Sequence, residues 1–429
     1  MKHIHHRPAR CLAAGLTACL TLTACSSSGS SGADELTYWS LWRAEEPQAQ
    51  VIKAAVDKFS AATGVKVHLE FQGRDVRTKI GAALAANRGP DLWDQGSDVI
   101  YSATVLTGQA ADLSDVYATA IPGEGAKVGD VVPAKYLDVL PKDPDGGNRW
   151  MVPYEVVSAQ MFYNGADPDF AKPPRTWDEF MSFCATLKAK DKPCLASDGD
   201  LGWENFLLLD YLLVRDHGPG TLARLYQDKT AAAWADPGIR ATVERVGQLT
   251  RGGYLSAGYD ASKAPTQQTK WAQGGGGFLV NGSWVPSEVA KLTAPGGKPA
   301  APAVPVTGGG NDQADVTLFG WSVPKKAKNP AAAKKFIAYF MNKTVLGGIA
   351  TTGGNITPRT DIPAPAALAD VQKILTASPS RPVLDNLPGD YGDKVLFPAY
   401  LDLWRGKTDA SGFVAAVREA QAAYWKSQS

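Results

Sequence analysis

Apolar positions follow two spacings that alternate along the chain. Over residues 48–63, Val51, Ile52, Ala55, Val56 and Phe59 recur at helical spacing, and Gly64 supplies a stop. Residues 35–41 before it and 65–71 after it read as strands, so the chain opens with a βαβ unit, the mark of a layered α/β domain. Residues 74–86 predict a second helix, stopped by Asn87-Arg88-Gly89-Pro90. Residues 91–94 then predict a short strand entering Gln95-Gly96-Ser97. Ligands of open α/β sheets collect at the carboxyl ends of the strands. That rule marks Ser40, Trp42, Glu45, Gln72, Asp94 and Gln95 as candidates.

Further along, 121–149 is rich in Pro, Gly and Asp and reads as surface connection. Trp150 to Glu155 then lead into an extended run over 156–163, and Pro153 inside it suits a crossing between domains better than a central strand. Thr176 with Glu179 three residues on is a capping-box start for a helix carrying Phe180, Phe183 and Leu187. Residues 202–214 form an apolar helix too short to span a bilayer, with Trp203, Glu204 and Asn205 in its first turn. A helix over 238–250 precedes GGGGFLVNGSW at 274–284, which predicts a glycine loop, a short strand over 278–280 and a polar turn with Asn281, Ser283 and Trp284. The Pro/Gly/Ala stretch 294–310 suits a return to the first domain. A strand over 317–324 and helices over 330–341 and 410–426 complete the pattern, with no internal repeat.

Composition narrows the class. The 429 residues suffice for two domains at roughly 150 residues each. Lys+Arg 44 against Asp+Glu 43 leaves no basic excess to recruit nucleic acid. Residues 1–24 have a basic start, an apolar stretch and a small-residue exit, as in a secretory signal. Removing their three basic residues leaves 41 basic against 43 acidic, again without an electrostatic hint of a charged ligand. Leu22-Thr23-Ala24-Cys25 resembles the bacterial lipobox, in which Cys25 becomes the lipid-modified first residue, and 25–34 reads as a flexible Gly/Ser tether. The expectation is therefore an exported protein on the extracellular face of the cell membrane, held there by its N-terminal lipid alone. Of the remaining cysteines, Cys184 and Cys194 lie ten apart and predict a structural disulfide.

Catalytic signals are sparse. His68 and His217 are the only histidines after the leader, and there is no G-x-S-x-G, H-E-x-x-H or P-loop. A glycosidase would draw its carboxylate pair from Glu45, Glu46, Asp94, Glu155 and Glu204. No cofactor or metal is expected. Tryptophans in turn-like settings beside polar partners suit binding better: Trp42 with Glu45, Trp203 with Glu204, Trp284 with Asn281. A neutral sugar offers apolar C–H faces to such rings and hydroxyls to such acceptors. For each tryptophan taken singly, core packing is the competing explanation.

Several stretches together resemble the extracellular solute-binding proteins of bacterial ABC importers, in the sugar-binding branch. They are FSAATGVKV at 59–67, Gly89-Pro90-Asp91-Leu92, Val152-Pro153-Tyr154 leading to Phe162-Tyr163-Asn164, Asn281-Gly282-Ser283-Trp284, FGWSVP at 319–324, and the 353–359 turn. The resemblance implies a two-lobed, periplasmic-binding-protein-like α/β fold with a hinged cleft, an oligosaccharide ligand, an ABC permease as partner, and a monomer. Its lobes would comprise 35–153 with about 306–350, and 154–305 with about 351–429, crossing near 152–158 and 301–306. It implies that Trp284 stacks on a sugar ring, that Trp203 is the helix-entry aromatic of the second lobe, and that Tyr391 is a late aromatic of the site. Tyr154, Glu155 and Trp321 join the candidates. Non-sugar ligands of the same family remain open: a polyol, a peptide, or a glycerol phosphoester, which would call on Arg43, Arg74 and Arg359.

Overall fold

The structure, a computed structural model, describes residues 35–144, 146–301, 307, 311–388 and 390–428. The leader, Cys25 with its tether, and most of the crossing expected at 301–306 lie outside these residues.

The βαβ opening forms as its pattern predicts. Strand β1 (Glu35–Ser40) lies parallel to β2 (Lys66–Phe71), and α1 (Pro47–Thr63) connects them. Pro47 starts α1, where its missing N–H costs nothing, and Gly64 ends it at φ +75°, a left-handed conformation that glycine adopts without strain. Helix α2 (Val76–Ala85) leads to β3 (Leu92–Gly96), which pairs with the other side of β1. Strand β9 (Ala314–Ser322), arriving from far along the chain, runs antiparallel to β3. Strand β4 (Val152–Val157) runs antiparallel along the other edge of β9, and β10 (Ser380–Pro382) pairs parallel with the first residues of β9, Ala314 to Val316. Between β7 and β9 the chain also forms the short β8 (Pro299–Ala300).

A second sheet has the order β6 (Leu195–Ala196), β7 (Phe278–Gly282), β5 (Ala159–Asn164), β8. Only Ser158 separates β4 in one sheet from β5 in the other, so the extended run with Pro153 is a crossing, as expected. Its hydroxyl and the Ala159 amide both donate to Asp315 at the start of β9, as does the Tyr211 hydroxyl at 2.6 Å. Close by, Arg381 on β10 pairs with Asp210 at 2.7 Å, both side chains buried. Buried charges persist only when paired in this way.

Helices α3 (Trp177–Lys188) and α4 (Gly202–His217) pack on the second sheet, and α5 (Pro237–Arg251) packs against α4. Thr176 and Glu179 form the expected capping box on α3. Cys184 on α3 is bonded to Cys194, their Cα atoms 4.9 Å apart. Of the four glycines at 274–277, Gly277 has a clear reason: at φ +81° a Cβ there would lie 2.8 Å from the Pro193 carbonyl oxygen. The glycines let the chain run tightly along the Cys194 segment and do not cradle a ligand.

Helices α6 (Pro330–Phe340), α7 (Lys343–Thr351) and α8 (Ala369–Ala377) lie on the first side. Ile356, Ile362, Leu368, Val371 and Leu375 belong to the first core, whereas Leu384, Tyr391 and Phe413 belong to the second. The return to the second lobe therefore falls between 375 and 384, later than the expected 351, because α8 and β10 extend the first sheet's layer. Helices α9 (Phe397–Trp404) and α10 (Ala410–Ser427) close the second core. The cores touch: Val285 and Val289, just after Trp284, pack into the first cluster.

Candidate functional site

Between the lobes lies a cavity of about 410 Å³. Its second-lobe wall carries Trp203 from the first turn of α4 and Trp284 from the turn after β7, stacked with ring centroids 6.1 Å apart and planes 28° apart. The first-lobe wall offers Gln95 near the end of β3 and Asp98 just beyond it, Thr317 and Phe319 from β9, and Arg74 and Arg77. A third side is the segment 383–387, where Leu384, Asp385 and Asn386 hold φ of 49°, 47° and 55° in succession. Three left-handed non-glycine residues in a row mark a wall held in place by its surroundings. Asn386 donates to the Val139 carbonyl at 3.1 Å, and Asp385 accepts from the Ala223 amide. A concavity of about 1020 Å³ behind the crossing is larger but has no tryptophan face and opens at the start of β9, away from the carboxyl strand ends of the first sheet.

The expected residues divide three ways. Gln95, Trp203 and Trp284 line the cavity. Glu204, Asn281 and Trp42 stand behind them. Asn281 donates to Glu204 at 3.3 Å and to Gln268 at 3.2 Å, while its own oxygen accepts from Gly282. Burial, with Glu288, Asp198 and Asp200 nearby, raises the Glu204 carboxyl to about 7 against the pull of Asn281. Trp42 supports Arg74, whose guanidinium lies 5.0 Å over its ring and bonds to Glu46 at 2.8 Å.

The other expected residues do not line the cavity. Asp94 is fully buried, accepting from the Tyr38 hydroxyl at 2.6 Å, the Leu41 amide at 2.7 Å, and Ser40 and Tyr154. Burial raises its carboxyl to about 6 although all four bonds oppose the shift. With its acceptor capacity spent inside the lobe, it has nothing for a ligand. Tyr154 belongs to the same network, also accepting from Trp42 at 2.8 Å, and Trp321 donates to Tyr38 at 2.9 Å from a fully buried position. Tyr391 is buried in the second core, its hydroxyl bonded to Gln421. Glu155 is buried beside Asn355. Glu45 is exposed, and its neighbour Glu46 is the residue that holds Arg74. Gln72 is occupied with Glu70 and Lys79.

Sequence reasoning missed Arg77, Asp98, Phe319 and the 383–387 wall. Asp98 was within reach of the strand-end rule, three residues past Gln95, the last residue it marked. Although Asp98 stays open to solvent, the protein crowding round it raises its carboxyl, with Arg77 pulling the other way.

A profile of the bacterial extracellular solute-binding proteins matches residues 54–376. The chain belongs to that family. Among solved structures, the MsmE binding protein of Bacillus subtilis, in an open conformation, aligns at TM-score 0.75 and 18% identity, covering 93% of this chain and 100% of its own. The solute receptor AcbH, described as having an exclusive preference for β-D-galactopyranose, aligns at TM-score 0.73 and 18% identity over 92% of this chain and 99% of its own. A Staphylococcus aureus extracellular solute-binding protein in complex with maltose aligns at TM-score 0.68 and 19% identity over 92% and 98%. No curated protein sequence matches. At these identities the likeness speaks for the fold: this solute-binding protein is a two-lobed α/β molecule.

Proposed function

We propose that the protein captures a neutral sugar or oligosaccharide in the inter-lobe cavity and delivers it to an ABC permease, held at the extracellular face of the cell membrane by a lipid on Cys25. The observation that carries the reading is the Trp203–Trp284 pair facing Gln95, Asp98 and Thr317 across the cavity. Aromatic planes cover the C–H faces of a sugar, and each hydroxyl bond adds a net of about 0.5–1.5 kcal/mol. That solved structures of like fold include galactose- and maltose-binding proteins supports it.

A phosphoester reading fares worse. Arg359 is buried between Glu124 and Asp361 and Arg74 is committed to Glu46, which leaves Arg77 alone on the cavity wall where a phosphoester calls for clustered arginines. The test is a tryptophan-fluorescence titration with neutral mono- and oligosaccharides, with product analysis alongside. Saturable change without products supports binding, whereas products would indicate a glycosidase.

A further inference from the structure

Glu155, on β4 beside its bulge with β9, is 1% exposed. Its Oε1 accepts from the Asn355 side-chain amide at 2.8 Å. Its Oε2 and the Asn355 Oδ1 are both buried without a hydrogen-bond partner. Two acceptors cannot satisfy each other, and each orphan costs about 1–3 kcal/mol. One proton on Oε2 removes both orphans, because the carboxyl O–H then has the amide oxygen to donate to.

We propose that Glu155 is carried as the neutral acid in a two-bond acid–amide ring with Asn355, and that this ring positions the 353–357 loop beneath the turn bearing Trp284.

Charged and titratable neighbours are consistent with this. Burial raises the Glu155 carboxyl to about 8 and Asp94 on β3 adds to the shift, while a side-chain hydrogen bond from Gln48 on α1 and the charge of Arg74 oppose it without cancelling it. Tyr154, the preceding residue, is itself held un-ionised by burial and by its acidic neighbours. Arg74 cannot stand as a counter-ion, since Glu46 engages its guanidinium through two bonds.

The path to Trp284 is short. The Val156 amide donates to the Ile356 carbonyl at 2.8 Å, fixing the loop to the crossing strand. Gly354, at φ +71°, comes so close to Ser287 that a Cβ there would lie 3.0 Å from the Ser287 Cβ. Ser287 in turn donates to the Trp284 carbonyl through its amide at 3.1 Å and its hydroxyl at 2.8 Å. The ring stands whatever the cavity binds, while its relevance to binding rests on Trp284 being the platform proposed above.

The test uses ligand-free protein and Glu155→Gln, whose amide can make both bonds of the ring without titrating. Infrared difference spectra of the wild type should show a buried protonated carboxyl lost as pH passes about 8 and absent from E155Q. The folded acid lies above its unfolded value of 4.5, so folded Glu155 keeps a proton that the unfolded chain releases. Wild-type Tm should therefore fall relative to E155Q as pH rises from about 4.5 to about 8, then run parallel. The Trp284 emission, isolated by difference with Trp284→Phe, should shift near pH 8 in the wild type and stay flat in E155Q. An ionised Glu155 at pH 6 would overturn the ring, and the spectra decide this even if E155Q fails to fold. A ring that titrates without any change at Trp284 would overturn its positioning role.

Discussion

Trp284 and Trp321 sit at the ends of β7 and β9, each beside small polar residues, yet their surroundings assign them different work. Trp321 is fully buried and bonded to Tyr38, so Trp321→Ala should cost about 3–5 kcal/mol of stability in urea unfolding. Trp284 faces the cavity, so Trp284→Ala should leave the urea midpoint nearly unchanged. It should weaken sugar binding on the order of 10- to 100-fold, about 1.4 kcal/mol per decade. Nothing in the local sequence separates the two, because burial is decided by helix α6 and strand β1 packing over Trp321 from distant parts of the chain. Asp94 and Gln95 make the same point at adjacent positions: successive strand side chains point to opposite faces, and the sequence does not say which face is the cleft. Glu204, raised to about 7 from an unfolded 4.5, favours its neutral form in the folded state. Its contribution is full below about pH 4.5 and declines up to about pH 7, so a Tm–pH profile should lose part of its downward slope there in Glu204→Gln.

At the scale of elements, the regular pieces were legible wherever the hydrophobic period was unbroken. The βαβ opening, the capped α3, the crossing at Ser158 and the Cys184–Cys194 bond all follow from local pattern. Helix α8 and β10 were not, since they lie in a proline-bearing stretch and are fixed by docking against the first core and β9. The 383–387 wall was hidden for a different reason: Leu, Asp and Asn there adopt the backbone that glycine ordinarily advertises. Asn386→Ala removes the bond to Val139 that joins the two sides of the cleft, and should weaken ligand binding about 2- to 10-fold in titration calorimetry. Replacing Cys184 and Cys194 with serine should lower stability by about 2–3 kcal/mol, with affinity for ligand retained because the bond lies within the second core.

Over the whole molecule, the central claim is that two lobes joined by buried crossings hold a sugar between the tryptophan pair and the polar end of the first sheet. A ligand touching both walls favours the closed arrangement by the contacts it makes only there. The most direct measurement is an equilibrium fluorescence titration of wild-type and Trp284→Ala protein with a panel of neutral mono- and oligosaccharides. The expected result is a saturable change with at least one sugar, largely lost in the variant, whose ligand-free Tm stays the same. Equal binding by the variant, or no saturable response to any sugar in the panel, would contradict the account.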